Sequence, residues 1–235
     1  MSATAWVQPH RYEDKFFDLI EGGMANDART LQRRIGPSGL GTDCIHCLAC
    51  GIFQIPKPEN PREIWNQAVG HACHAWMEQR LIDANTAAGR DVYYPERKVY
   101  VGDIGPDRIT GSADCYDVDE QVVVDWKFPG DNTMAKVRKG KITATYRKQP
   151  HLYGLGYLNA GFEVRGVMVL FIPRNDRTVR FSHAYKVPFD RTLAEDTMAR
   201  AQAIYDLVIR DGGPQEVIPR LRRDPDCWDC TRYPL

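Results

Sequence analysis

Asp114, Asp125 and Lys127 are the residues whose types and spacing could do chemistry. Asp114 closes the run Gly111-Ser112-Ala113-Asp114, and Asp125-Trp126-Lys127 ends the apolar run Gln121-Val122-Val123-Val124. Strand residues two apart share a face, so Asp125 and Lys127 project together. If residues 108–116 and 121–127 form a hairpin, Asp114 is carried alongside them. Two carboxylates at a strand edge offer hard oxygen ligands to magnesium or manganese, and a neighbouring lysine can orient a water or neutralise a phosphate. Such a set suits phosphodiester hydrolysis. Any one of these residues taken alone reads as a solvated strand-end charge. Asp125, however, follows three valines, which places it near the core, where a charge needs a partner or a metal.

Other polar residues stand at helical spacing around that pair. His74 and Glu78 lie four apart and share a helix face, as do Gln149 and Tyr153. Lys136, Arg138, Lys139, Lys141, Arg147 and Lys148 cluster just after the Asp-x-Lys strand, with Tyr146 among them. Phosphate contacts with aromatic stacking are the means by which single-strand binders work. A Cys-x-x-Cys-x-x-Cys run, Cys44, Cys47 and Cys50, precedes the core, and Cys227-Trp228-Asp229-Cys230 follows it. Two separated Cys-x-x-Cys pairs specify a tetrahedral thiolate site that would clip the early segment to the tail. Four of these five cysteines would ligate. The spacing favours zinc, while the triple run also occurs around iron–sulfur clusters. Cys73 and Cys115 read as small core residues.

The elements that must position these groups follow from periodicity and breakers. Helices are expected at residues 12–20, ending at Gly22-Gly23, and then at 62–84, 144–159 and 191–210. Strands are expected at 92–101, 108–116, 121–127, 164–172 and 179–186. A polar, Gly- and Cys-containing stretch covers 36–54, a Pro-rich connector 55–61 and a basic loop 129–141. This order predicts an α/β fold with a mixed central sheet flanked by helices. It would be one domain over 1–235, with a core at about 62–187 and cysteine-bound clip segments at about 40–54 and 224–235.

Composition narrows the function classes. With 43% hydrophobic and 26% charged residues among 235, the chain can bury a sizeable core. Lys plus Arg equals Asp plus Glu at 31 each, so attraction to nucleic acid must come from a local patch. No Gly-x4-Gly-Lys-Ser/Thr loop supplies an ATP motor. The first residues lack a charged and then apolar leader and no stretch approaches 18 apolar residues, so a cytoplasmic location without membrane association is expected. In that reducing setting, seven cysteines point to metal rather than disulfides. A zinc deaminase is excluded: no His-x-Glu occurs, and Asp226 rather than proline precedes Cys227.

Taken in order, Gly70-x-x-x-His74-x-x-x-Glu78, Gly111-x-x-Asp114, Asp125-x-Lys127 and Gln149-x-x-x-Tyr153 resemble the PD-(D/E)XK nuclease superfamily. The likeness is to the branch that holds RecB, AddB and the CRISPR-associated RecB-type exonucleases. The resemblance covers about residues 62–157, and Ala113 stands where the family has proline. It implies a restriction-endonuclease-like fold. His74, Asp114, Asp125 and the backbone carbonyl of Trp126 would hold the catalytic magnesium or manganese, and Lys127 would position the attacking water. Gln149 and Tyr153 would lie near the site, orienting DNA or Lys127. It further implies a DNA exonuclease acting at single-stranded ends in recombination, repair or phage DNA metabolism, with a helicase or recombinase as a partner. An endonuclease or flap nuclease using the same residues, and a non-catalytic nucleic-acid-binding module, are the alternatives. Relatives hold a four-iron four-sulfur cluster on one N-terminal and three C-terminal cysteines. This chain departs from that with three in front and two behind, which leaves iron–sulfur and zinc both open.

Overall fold

The computed structural model describes residues 13–25, 34–57, 65–225 and 227–233. The chain divides into two compact units, Met1–Gln32 with Glu59–Val69 and Arg33–Pro58 with Gly70–Leu235. In the first, helix α1 spans Asp14–Ala25. It runs through Gly22 and Gly23, where it was expected to stop. Glycine weakens a helix interior by only about 1 kcal/mol and does not forbid it. The expected starts at Tyr12 and Arg62, and residues 58–61 of the connector, lie outside the described residues.

The second unit carries the chemistry. Strands β1 (Tyr93–Ile104), β2 (Asp107–Asp117), β3 (Val122–Lys127), β4 (Gly166–Phe171) and β5 (His183–Pro188) form one mixed sheet in the order β1-β2-β3-β4-β5. Only β3 and β4 pair in parallel, with Val122 opposite Gly166 and Lys127 opposite Phe171. The valine run of β3 is buried throughout, as a strand covered on both faces must be. One face meets helix α4 (Trp65–Ala88), where Leu81 and Met77 pack on Cys115, Val122, Val124 and Trp126. The other meets α6 (Ala144–Asn159), where Tyr153 and Tyr157 pack on Val99, Ala113, Tyr116 and Val123. This is the expected α/β architecture.

Two glycines let α6 approach. A Cβ on Gly156 would come within 2.6 Å of Val99 Cγ2, and one on Gly154 within 2.6 Å of Phe189. Gly111 meets the same helix from the sheet side. A Cβ there would lie 2.7 Å from Pro37 and 3.0 Å from Tyr153. Helix α7 (Arg191–Arg210) starts on Asp190, whose carboxylate accepts from Leu193 N–H at 2.9 Å.

One loop expectation is corrected, and a stretch with no expected element gains helices. The basic loop contains α5, Asp131–Arg138, with Met134 and Val137 buried three residues apart, Asp131 in its first turn and Lys136 and Arg138 in its last. Those charges complement the helix dipole. The cysteine-bearing stretch contains α2 (Pro37–Leu40) and α3 (Ile45–Ile52), and α3 is almost wholly buried. Leu48, Ile52 and Leu40 join Val101, Ile104, Leu152, Ile204 and Ile218 in the largest core cluster, to which α7 and α8 (Pro214–Val217) contribute. Cys115 is a buried core residue, but Cys73 is only half-buried. No helix of the described residues is long and apolar enough to cross a membrane.

Candidate active site and cysteine cluster

Strand register assembles the acidic groups. Pro95 faces Cys115 and Arg97 faces Ala113, which sets Glu96 opposite Asp114. Cys115 faces Val124, and just beyond that pair Trp126 N–H donates to Asp114 Oδ2 at 2.6 Å, which ties Asp114 to β3 beside Asp125. Strands β1, β2 and β3 thus each contribute one carboxylate, Glu96, Asp114 and Asp125, and α4 adds an imidazole. His74 Nδ1 is 3.4 Å from Asp114 Oδ1 and 3.8 Å from Glu96 Oε1. His74, Glu96 and Asp114 bring ligand atoms within 4.8 Å of one another, a group fit for a metal ion. Asp125 is outside that group, and Glu78, one turn along from His74, is not in it either.

Asp125 is held instead by Lys127, whose Nζ is 2.6 Å from its Oδ2. Asp125 is 1% exposed, yet neither carboxylate oxygen has a properly directed hydrogen bond; His74 Nδ1 is likewise without one. Burial pushes the Asp125 carboxyl up to about 6, against the pull of Lys127 and with the help of Asp114. Lys127 shifts upward as well. Burial opposes its charge, but Asp125 and Asp114 outweigh it, so the amine stays a cation. Asp114 has a directed partner, accepting from Trp126 N–H at 2.6 Å on Oδ2, and this bond aims its other oxygen at His74. Two buried aspartates, one of them with oxygens that lack directed partners, beside an imidazole and a third carboxylate are costly unless a cation joins them. The donor set, carboxylates plus one imidazole, suits magnesium or manganese.

Glu96 was not legible in the sequence. It stands in Tyr94-Pro95-Glu96-Arg97, which matches no motif, and only the register brings it opposite Asp114. Its backbone is the clue visible in three dimensions, because φ is 44°. A side chain larger than glycine's rarely adopts that region, and its use inside a strand re-aims the residue.

The remaining expected residues divide. Gln149 and Tyr153 are buried on α6, and Gln149 Nε2 donates to Tyr153 Oη at 3.1 Å. Pro150 inside α6 leaves the Tyr146 carbonyl without its helical donor. The Tyr146 ring packs edge-on against Phe171, and Lys127 Nζ lies 5.7 Å from its centre. Lys136, Arg138, Lys139, Lys141 and Arg147 are exposed. Arg138 reaches the Phe181 carbonyl at 2.9 Å and Asp176 at 3.7 Å. Lys148 turns away from this surface to Asp43, at 2.6 Å.

The cysteines gather in a second cluster. Cys44 caps the start of α3 and Cys47 sits in its first turn; Cys227 caps the start of a short 3-10 turn, Trp228–Arg232, and Cys230 lies within it. Cys44 Sγ is 3.2 Å from Cys230 Sγ, and Cys47 Sγ is 3.4 Å from Cys230 Sγ and 3.5 Å from Cys227 Sγ. All four sulfurs lie within 4.8 Å of one another. The separations are too long for a disulfide. Cys50 turns to His46, 3.8 Å from Nδ1, and is not one of the four.

Comparison with known proteins bears on the fold. No protein-family model matches the chain, and no curated protein does. The solved structure of a protein called SSO0001 superposes with a TM-score of 0.51 at 13% identity, over 88% of this chain and 90% of its own. The likeness is one of fold. A phage-related exonuclease from Haemophilus somnus gives 0.49 at 14% identity, over 77% of this chain and 98% of its own. An alkaline exonuclease from Laribacter hongkongensis gives 0.39 at 13%, over 74% and 94%.

Proposed function

We propose that this protein is a divalent-metal-dependent nuclease that hydrolyses phosphodiester bonds in DNA, acting as an exonuclease at single-stranded ends. The observation that carries the reading is the set Glu96, Asp114 and Asp125 on three adjacent strands, with His74 3.4 Å from Asp114 and Lys127 2.6 Å from Asp125. The likeness of its four sequence motifs to the RecB branch of the PD-(D/E)XK superfamily supports the same reading. It supplies the strand preference, the setting in recombination, repair or phage DNA metabolism, and a helicase or recombinase partner.

His74, Asp114, Asp125 and the Trp126 carbonyl would hold the ion, with Glu96 as an additional carboxylate. When bound, magnesium or manganese supplies an acidified water and a polarised phosphoryl oxygen. The chain's own groups do the rest. Lys127, kept protonated by its two aspartates, donates hydrogen bonds to the attacking water or to the oxygen that gains charge. The Asp114 carboxylate, fixed by Trp126 N–H, keeps its free oxygen directed. The exposed Lys136, Arg138, Lys139, Lys141 and Arg147 track the phosphate backbone, and Tyr146 offers a ring beside Lys127 for a base. Lys148 takes part only if it leaves Asp43.

End-labelled linear and closed circular single strands, incubated with manganese or magnesium, test this. Release of short products from linear strands with circles left intact is expected. Cleavage of circles supports the endonuclease or flap reading instead. Binding without cleavage in either metal leaves the non-catalytic module.

A further inference from the structure

We propose that Cys44, Cys47, Cys227 and Cys230 hold one tetrahedral zinc ion, with Cys50 outside the ligand set, in place of the iron–sulfur cluster the family resemblance implies. The proposal is independent of the nuclease reading, since it concerns residues the carboxylate site does not use.

Sulfur spacing is the first argument. Four thiolates around one zinc, with bonds of about 2.3 Å, sit roughly 3.8 Å apart. Thiolates on a four-iron cube each sit beyond a separate iron at the cube's corner, roughly 6 Å apart. The three close pairs stand at 3.2, 3.4 and 3.5 Å, and every pair is within 4.8 Å. Admitting one ion asks these sulfurs to part by a few tenths of an ångström. Admitting a cube would ask for about 2 Å or more at several pairs.

Immobility of the two turns is the second. Arg200, on α7, donates to the Thr42 carbonyl at 2.6 Å and the Asp43 carbonyl at 2.7 Å, which fixes the residues just before Cys44. Arg223 donates to the Cys230 carbonyl at 2.7 Å, and Lys57 pairs with Asp229 at 2.7 Å. Cys44, Cys47 and Cys230 are at most 8% exposed, and His46 and Cys50, both fully buried, fill the space behind them. A larger inorganic core would have to displace packed protein and break these ties.

The ligand set is the third. Each half is a Cys-x-x-Cys turn whose backbone is already closed. Leu48 N–H bonds the Cys44 carbonyl at 3.0 Å, and Cys230 N–H bonds the Cys227 carbonyl at 3.2 Å. Two such turns facing each other complete four-coordination and leave no ligand position open, the mark of a structural zinc. Cys50, against His46, would be spare.

The test is the metal and sulfide content of the full chain, purified without oxygen from cells supplied with iron and zinc. About one zinc per chain and a colourless solution are expected. Zinc should persist in Asp114→Ala and Cys50→Ala and fall to near zero in Cys227→Ser. Because Cys227→Ser could fail to fold, cobalt(II) replacement of the wild-type ion gives a reading that needs no variant: intense visible bands of a tetrahedral tetrathiolate. Iron with acid-labile sulfide, a single iron, no stoichiometric metal, or cobalt bands of another geometry would each overturn the proposal. So would zinc retained in Cys227→Ser or lost from a folded Cys50→Ala.

Discussion

The carboxylate site and the cysteine cluster both bring side chains from separate segments within ion-binding distance, but they are built in opposite ways. The carboxylates stand on three adjacent strands, which the sheet brings together, and Asp125 retains buried oxygens without directed partners. The cysteines come from two turns some 186 positions apart, each self-contained and tied down by arginine and lysine. The first arrangement is electrostatically costly and left ready for a substrate's charge. The second is closed and has nothing left to donate. Strain gathered at the one and satisfaction at the other distinguish a site that acts from a site that fastens.

Substitutions can break this contrast. Asp114→Asn should lower cleavage by about 10³-fold or more, through loss of ion binding and aim, yet leave the thermal midpoint unchanged or slightly raised, because one of three crowded carboxylates is neutralised. Melting curves beside end-labelled digestion would show it; a large fall in midpoint would mean the set is structural. Cys44→Ser should do the reverse, costing about 2–5 kcal/mol of stability, in the range of a lost structural cross-link, with a proportionate loss of folded rather than of specific activity. Chemical denaturation and activity per folded molecule measure the two.

Acidity sharpens the comparison further. Asp125 has its carboxyl raised to about 6 from an ordinary value of 3.8. Between those values the folded protein binds more protons than the unfolded chain. Without divalent ions, this group's contribution to stability therefore declines as pH rises from about 4 to 6. Ion binding runs the other way, since the carboxylate must shed its proton, so affinity should drop by up to about tenfold for each unit below 6. Calorimetric titration with manganese from pH 5 to 7.5 checks the slope; a flat profile would place Asp125 outside the ion's ligands.

The smallest effect concerns Glu96. At φ 44° glycine relieves backbone strain, so Glu96→Gly should be about 1 kcal/mol more stable than Glu96→Ala, and both should bind the ion more weakly than the parent. Equal stability of the two variants would remove the strain argument.

Much of the sheet could be read beforehand because each strand carried its own alternation or valine run, and Asp114, Asp125 and Lys127 followed from period two. What escaped depended on partners distant in sequence. Glu96 becomes visible only when β1 is laid beside β2. Helix α5 was hidden by its charges, although Met134 and Val137 at spacing three marked a buried face. Helix α3 lies in what reads as a polar, Gly- and Cys-containing stretch, because the cysteines stand out from Leu48 and Ile52. Which four cysteines converge could not be read from a run of three and a pair with the same internal spacing, since Cys50 is excluded only by where its helix turn points. Lys148 is indistinguishable in sequence from the rest of its basic run, and only its ion pair with Asp43 sets it apart.

Joining Cys44 to Cys230 has a bearing on when the molecule is finished. All five strands of the sheet and the helices α4 and α6 lie between the two turns, so during synthesis they emerge before the second turn exists. Bridging so long a span is entropically slow. The thiolate knot is therefore expected to seal an assembly already largely made, rather than to seed it, and to act as the last latch against its coming apart.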